Sequence, residues 1–263
     1  MKGHLFKQLY SSNDQYNSGQ EVLTMDHKLW YIKNAALFSW LGDEELRLLA
    51  ERSEMASCRR QARLFFADEI SDDIYLVKEG RIKLLKTNPD GREVILDILG
   101  PGEIFGEMAL VDEELRSHSA EAVEDALVCI IKRVDFEGLL QRHPEMVLRV
   151  LKLVGLRRRE LEMRLEDLVF QPLGGRLALA LLWQADKHGE IDVNGQVRIR
   201  LTQTDLANLI GASREAVAEQ LKEMKTQGLI ETSYRSLKVL DVEALRIYFS
   251  RNYIGDSREK LAL

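Results

Sequence analysis

Two hydrophobic patterns follow one another along the first half of the chain. Over residues 31–56 the apolar side chains recur at helical spacing on one broad face, which predicts a helix. Over residues 60–135 they fall into short runs separated by glycines and by an Asn-Pro-Asp-Gly turn at 88–91. Many short strands with frequent turns predict an antiparallel roll or barrel.

A longer helical pattern covers residues 144–170, with Pro144 suited to its first turn. Apolar and basic side chains recur there in steps of seven: Val147, Val154, Leu161 and Leu168; Val150, Arg157 and Arg164; Leu151, Arg158 and Leu165. This spacing is typical of a coiled coil and predicts a parallel homodimer, in which the arginines of the seam need partners. The alternative is an amphipathic helix that lies on its own domain.

Two short helical patterns, over residues 205–210 and 214–227, flank a turn at Gly211. Apolar residues at helical spacing would form their shared core: Leu206, Leu209, Ile210, Val217, Leu221 and Met224. This arrangement predicts a helix-turn-helix unit, whose second helix presents side chains to the major groove of DNA. The alternative is a helical hairpin that does not bind DNA.

Polar residues at the two helix starts support the same prediction. Thr202 and Asp205 have the spacing of a capping box, and Ser213 can cap the second helix. Arg214 and Glu215 then lie on the exposed first turn, from which side chains reach base edges.

The chain continues with a pattern that predicts a wing. Two short β-runs, over residues 228–232 and 237–240, are separated by a hairpin tip at 233–236. A helix-turn-helix followed by such a hairpin is a winged helix. Arg235 and Lys238 could reach phosphates there, which would position the domain without reading sequence.

These patterns divide the 263 residues into four parts. A mobile polar extension (1–30) precedes a sensor domain (31–142), a dimerisation helix (143–171) and a winged-helix domain (172–263). The fold class is α+β, with a jelly-roll-like β-roll, and residues 172–175 interrupt the helical pattern as a hinge.

Composition excludes several classes of protein. No apolar run is long enough to span a membrane, and the N-terminus lacks the apolar core of a signal peptide, so we expect a cytoplasmic protein. Only two cysteines, Cys58 and Cys129, argue against a disulfide scaffold, a zinc site or an iron–sulfur cluster. The formal net charge of −6 does not by itself indicate a nucleic-acid binder, but footprints are local.

Candidate chemistry in the sensor domain lies in one ordered set. Gly106 and Glu107 begin a turn whose backbone N–H groups can face an anion, and Arg116 offers a fork that matches phosphate oxygens. Ser117 adds a hydroxyl donor, and Glu107 could accept from a ribose hydroxyl. The alternative is an ordinary turn with one surface salt bridge.

Over residues 35–245, the chain resembles the family of the cyclic-AMP receptor protein and its FNR relatives. The resemblance rests on FGEMAL…RS at 105–117, on the long helix, and on LTQTDLANLIGASREAV from 201. It implies a ligand site formed by Gly106, Glu107, Met108, Ala109, Arg116, Ser117, Arg157, Leu161 and Glu162. It implies DNA contacts from Thr202, Gln203, Ser213, Arg214, Glu215, Glu219, Arg235 and Lys238.

The sequence also departs from this family. His118 stands where a small residue is usual beside the phosphate pocket, and Leu161 and Glu162 replace two hydroxyl residues that meet adenine. Glu219 replaces a base-reading arginine, and Gln220 replaces an apolar core residue. The phosphate chemistry is therefore present, while adenine-reading chemistry is not evident. With two cysteines an oxygen-sensing cluster is unsupported, and a haem would need an axial ligand, for which His118 is a candidate.

We therefore expect a dimeric transcription regulator, not an enzyme, in which a small effector reorients two winged helices. The expected effector is a cyclic nucleotide, most simply cyclic AMP, with cyclic GMP and cyclic di-GMP as alternatives and no metal. The expected partners are palindromic double-stranded DNA, a second copy of the chain and RNA polymerase, and no membrane. The alternatives are a cyclic-nucleotide module of a kinase or channel, a constitutive DNA binder with a vestigial pocket, and a sensor of a non-nucleotide effector.

Overall fold

The N-terminal helical region contains two helices rather than one. The computed structural model describes residues 25–70, 72–111 and 115–254, with α1 at Met25–Asn34 and α2 at Asp43–Arg52. The prediction of one helix over 31–56 is therefore wrong. Gly42 is extended and acidic residues fill the next turn, which favours a new helix N-terminus there.

The predicted boundary at residue 31 also falls inside a helix, because α1 begins at Met25. The rest of the predicted mobile extension, residues 1–24, lies outside the described residues.

The predicted roll consists of two four-stranded antiparallel sheets in the described part of the chain. Its strands are β1 (Glu54–Cys58), β2 (Arg63–Phe65), β3 (Asp73–Glu79), β4 (Ile82–Thr87), β5 (Glu93–Leu99), β6 (Ile104–Phe105), β7 (Ser119–Ala122) and β8 (Ala126–Lys132). One sheet has the order β1-β8-β3-β6 and the other β2-β7-β4-β5. Their short runs and frequent turns match the sequence pattern.

Strand β3 is buried on both faces, and this shows where the cores of the sensor domain lie. Tyr75 and Val77 point between the two sheets, where they pack with residues of the opposite sheet. Ile74 and Leu76 alternate with them and pack against the helices outside the roll, together with Phe38. The N-terminal helices thus cover one face of the roll.

The long helix is confirmed in position and length. Helix α3 (Arg133–Arg142) leads into α4 (Pro144–Phe170), which spans 27 residues with Pro144 at its start. Its N-terminal part packs on the helices of its own domain through Val150 and Leu153. In the described residues, no helix is long and apolar enough to cross a membrane.

The sequence predicts a hinge over residues 172–175, but the break between the two helices lies before Gly174 and Gly175. Helix α5 (Leu173–His188) already contains Gly174 and Gly175, both buried, so the break between helices is at Gln171 and Pro172. The glycines instead allow close packing of the last helix, α8 (Val242–Asn252). A Cβ on Gly175 would lie 2.5 Å from the carbonyl oxygen of Asn252.

The winged-helix domain follows the sequence prediction closely. It continues with β9 (Glu190–Ile191), β10 (Val197–Ile199), α6 (Gln203–Ile210), α7 (Arg214–Thr226), β11 (Ile230–Ser233) and β12 (Ser236–Val239). Thr202 and Asp205 form the capping box, Ser213 caps α7, and Gly211 is left-handed. The six predicted core residues of the helix-turn-helix are all buried.

Candidate functional site

The ordered set from Gly106 to Ser117, here called the phosphate cassette, begins with a sharp turn that follows β6. Gly106 is left-handed, with φ of 80°, and precedes a 3-10 helix over Glu107–Leu110. A Cβ at this position would lie 2.8 Å from both the Arg116 guanidinium and the carbonyl oxygen of Asp73. Glycine is therefore required here by the backbone and by the arginine that packs against it.

Arg116 is held firmly inside the cassette. It is only 5% exposed, and its guanidinium lies 4.4 Å from the centre of the Phe65 ring. Nη2 donates to the carbonyl oxygen of Asp73 at 2.7 Å and Nη1 to that of Gly106 at 3.4 Å. Burial lowers the pKa of Arg116, opposed mainly by the nearby Tyr75 and Asp73. Its buried Nε has no hydrogen-bond partner.

Ser117 and His118 continue the cassette beside Arg116. The Ser117 hydroxyl and His118 Nδ1 are 3.1 Å apart, and the His118 ring packs against Phe65. Burial lowers the pKa of His118, which favours the neutral ring. His118 Nε2 is also buried without a partner.

Arg157 joins the cassette to the long helix, which corrects its predicted place in the dimer seam. Its Nη1 donates to Glu107 Oε1 at 3.1 Å, and its Nε lies 3.5 Å from Asp97 Oδ2. Arg164 also points to its own chain, where Nη2 donates to the carbonyl oxygens of Ile95 and Leu209 at 2.6 Å. Both arginines are paired within one chain.

Asp97 is the other charged member of this cluster. Burial raises its pKa to about 6, although the positive charge of Arg157 acts in the opposite direction. A carboxylate in this position therefore remains costly even with its partner.

The structure does not bring every predicted ligand residue to the cassette of one chain. Ala109 is buried beneath it and Met108 is partly exposed. Leu161 is 42% exposed on the outer side of α4, and Glu162 pairs at 2.8 Å with Arg158 on the same helix. In the described part of the chain, neither of these α4 side chains forms a hydrogen bond or an ion pair with the cassette residues.

Because Arg157 and Arg164 turn towards their own chain, the other residues of the predicted seam form a nearly continuous apolar stripe on α4. Its members follow steps of four and three: Val147, Leu151, Val154, Arg158, Leu161, Leu165 and Leu168. The apolar members are between 36% and 63% exposed. Their spacing is that of a two-helix seam, and Arg158 is the charge within it.

The candidate DNA-reading side chains are distributed over the exposed side of the winged helix. Arg214, Glu215 and Glu219 are exposed on α7, and Thr202 and Gln203 stand at the start of α6. Thr202 is partly buried and bound to the capping box, while Ser213 is exposed and caps α7. The candidate DNA-contact surface therefore contains the two helix N-termini that the caps define.

Arg235 and Lys238, the two wing residues predicted to reach phosphates, have different surroundings in the structure. Arg235 is exposed at the tip, with φ of 128° and its guanidinium 4.7 Å from the centre of the Tyr234 ring. Lys238 instead donates to Gln196 at 3.0 Å and pairs with Asp192 at 2.8 Å. Arg235 is thus free to meet a phosphate, whereas Lys238 already has an anionic partner.

Sequence reasoning missed the charged contact between the roll and the winged-helix domain, here called the reading head. Lys83 of β4 is largely buried and lies 3.0 Å from both Asp205 and Glu121. Burial alone would lower the pKa of Lys83, but these two carboxylates raise it overall. Lys83 and Asp205 are 122 residues apart in the chain, so no local sequence pattern could have indicated this pair.

Comparison with known proteins gives the family. The model of the cyclic nucleotide-binding domain matches residues 56–143, and that of the Crp-like helix-turn-helix domain matches 175–248. The cyclic AMP receptor protein of Thermus thermophilus is 32% identical, over 81% of this chain and 96% of its own length. The chain belongs to the CRP/FNR family of transcription regulators.

Other relatives agree with this membership. A CRP-like cAMP-activated global transcriptional regulator of Mycobacterium tuberculosis is 29% identical, over 81% of this chain and 96% of its own. A solved transcriptional regulator of the CRP family from Thermus thermophilus has 26% identity and a TM-score of 0.64, covering 74% of this chain and 96% of its own. FixK2 from Bradyrhizobium japonicum shares the fold, with 22% identity, a TM-score of 0.67, and coverage of 74% and 96%.

Proposed function

We propose that this CRP/FNR-family chain works as a homodimer that binds a palindromic operator under the control of a phosphodiester effector, most simply cyclic AMP. The observation that carries the proposal is the Glu107–Arg157 pair, which joins the effector cassette to the helix that would form the dimer. A DNA target implies the bacterial cytoplasm, and RNA polymerase is the partner that an activator would contact.

The effector side of the proposal rests on donor chemistry. Arg116 is buried and fixed by two carbonyl oxygens, so it loses little conformational freedom when it meets an anion. Ser117 adds a hydroxyl, and Glu107 can accept from a ribose hydroxyl while it holds Arg157. Two of the relatives above are named for cyclic AMP, which favours that nucleotide.

The identity of the base is open on physical grounds. Leu161 is exposed and Glu162 pairs with Arg158 on the same helix, so both are available to meet a base across a dimer. Glu162 could then accept from a guanine edge, and cyclic GMP or cyclic di-GMP would compete with cyclic AMP.

The proposed signal runs through two arginines of α4. A ligand that engages Glu107 changes the partner set of Arg157, seven residues before Arg164. Arg164 in turn binds carbonyl oxygens of both β5 and α6. A displacement of α4 would therefore be transmitted directly to the helix-turn-helix.

Calorimetric titration with cyclic AMP, cyclic GMP and cyclic di-GMP tests the proposal. Wild-type protein should bind at least one of them, Arg116→Ala should lose the binding, and Arg92→Ala, which changes an exposed arginine of the β4–β5 turn, should keep it. Binding that survives Arg116→Ala would place the effector elsewhere. If none of the three binds, a non-nucleotide effector or a constitutive regulator becomes the better account.

A further inference from the structure

Two buried nitrogen atoms of the cassette lack hydrogen-bond partners. One is Nε of Arg116 and the other is Nε2 of His118. Buried polar atoms are almost always paired, and an orphan of this kind calls for a missing partner. Both residues pack against the Phe65 ring, so the two orphans belong to one small region.

His118 is surrounded by the charged groups of the effector cassette. The charges that act on it come from Glu107 of the 3-10 helix, Arg116 beside it, Lys86 of β4 and Arg157 of α4. Three of the four are cations, and the anion among them, Glu107, is already bound to Arg157. An additional anion is therefore the partner that this environment favours.

We propose that His118 is an additional ligand-binding residue, which donates Nε2–H to the phosphodiester that Arg116 binds and takes up a proton when that anion arrives. The inference rests on the proposed function, because it assigns one more contact to the same site. It adds a property that the cassette would not have with Arg116 and Ser117 alone, namely effector affinity that depends on pH near neutrality.

The proton balance follows from the contact between Ser117 and His118. In the free protein the ring is neutral, with Nε2 protonated and Nδ1 accepting from the Ser117 hydroxyl over 3.1 Å. When the anion binds, a proton from solvent adds to Nδ1, which then donates to the Ser117 oxygen. The Ser117 O–H is released by this reversal and can donate to the same anion.

Linkage fixes the direction of the pH effect. Burial keeps the pKa of His118 below its ordinary value in the free protein, and a bound anion raises it. Between those two pKa values the complex binds more protons than the free protein, so the affinity increases as pH falls.

The experiment is calorimetric titration of the full-length protein with cyclic AMP, cyclic GMP and cyclic di-GMP, in two buffers of different ionisation enthalpy and without phosphate. For the nucleotide that binds, we expect uptake of up to about one proton and about fivefold to tenfold tighter binding at pH 6.0 than at pH 7.5. His118→Ala should lose the proton uptake and bind more weakly. His118→Gln, which keeps a donor but cannot titrate, should recover part of the affinity with no pH dependence.

The control is His143→Gln, since His143 contacts Glu45 and Trp40 outside the cassette. It should leave both the affinity and the proton count unchanged, and thermal melting checks that each variant is folded. Nucleotide binding with an unchanged proton count in His118→Gln overturns this inference and leaves the proposed function standing. Failure of the wild-type protein to bind any of the three nucleotides overturns both.

Discussion

Arg116 and Arg214 are placed in two different ways for the acceptors that we propose they bind. Arg116 is buried and held by carbonyl oxygens and an aromatic ring, so its position is fixed before a ligand arrives. Arg214 is exposed on the first turn of a capped helix, where the helix fixes its origin but not its side chain. The first arrangement suits a small ligand of one shape, and the second suits a base edge in a groove.

Arg214→Ala should relax the choice of base at one operator position and cost about 1–3 kcal/mol of binding free energy, because a bidentate contact to guanine is lost. Arg235→Ala is the matched control, since a phosphate contact at the wing should weaken binding to all sequences alike. Selection from a random DNA library measures both. The same selected motif for wild type and Arg214→Ala would contradict the assignment.

The buried carboxyl group of Asp97 affects the stability of the fold rather than DNA binding. Folding raises its pKa from 3.8 to about 6, so the protonated form fits the fold better and the carboxylate costs stability as pH rises through this range. Asp97→Asn should therefore change the free energy of unfolding little at pH 4 and increase it by about 3 kcal/mol, relative to wild type, at pH 7.

Denaturant unfolding at both pH values measures this difference. The charged groups around Asp97 that contribute are Arg157, Glu103, Lys187 and Glu160. An Asp97→Asn effect that is equal at the two pH values would contradict a raised pKa for this carboxyl.

At the scale of elements, α4 has two faces with different partners. One face carries Arg157 and Arg164, which bind the roll and the reading head of their own chain. The other carries the exposed apolar stripe from Val147 to Leu168. The alternative of a helix that lies on its own domain is therefore right for one face, while the dimer seam on the other face stays a prediction.

Val154→Asp or Leu161→Asp should dissociate the proposed dimer and abolish tight binding to a palindrome, because each places a charge in the stripe. Leu156→Asp is the matched control, since Leu156 is also exposed and apolar but lies outside the stripe. Sedimentation reports the mass of each variant. A wild-type monomer that still binds a palindrome tightly would reject the prediction.

At the scale of the whole molecule, the reading head and the sensor share one core. Leu85, Ile95 and Ile98 of the roll belong to the same hydrophobic cluster as the winged-helix domain. The Lys83–Asp205 pair lies at this junction and ends on the capping box of α6. The orientation of the helix-turn-helix is thus tied to the sheet that carries β4 and β5.

Lys83→Met should destabilise the protein by about 3–5 kcal/mol, because Asp205 and Glu121 lose their shared cation while remaining largely buried. Lys86→Met, at an exposed position of the same strand, should have a much smaller effect.

The pH dependence gives a further check of this pair. Pairing and hydrogen bonds hold the pKa of Asp205 below its ordinary value despite burial. The stability it contributes is present above the unfolded-state pKa and is lost as pH falls through the folded one. The cost of Lys83→Met in denaturant unfolding should therefore shrink in acid, and a constant cost would argue against the pair.

The sequence by itself determined the elements whose signals are local. The capping box at Thr202, the left-handed Gly211 and the start of α4 at Pro144 follow from residues within one or two turns, and the structure confirms them. The phosphate cassette was also predicted from sequence, because its glycine, carboxylate and arginine lie in one short segment, and the structure brings Gly106 and Arg116 into contact.

Only the tertiary structure decided which side of each element meets which neighbour. A seven-residue repeat places Arg157 and Arg164 near the apolar stripe, but the position of the roll decides that they turn towards Glu107 and Leu209. Likewise, the sequence predicts a hinge at Gly175, whereas in the structure α8 packs closely against this glycine. Periodicity fixes the angles between side chains around a helix axis, whereas the partner of each face depends on contacts between residues far apart in the chain.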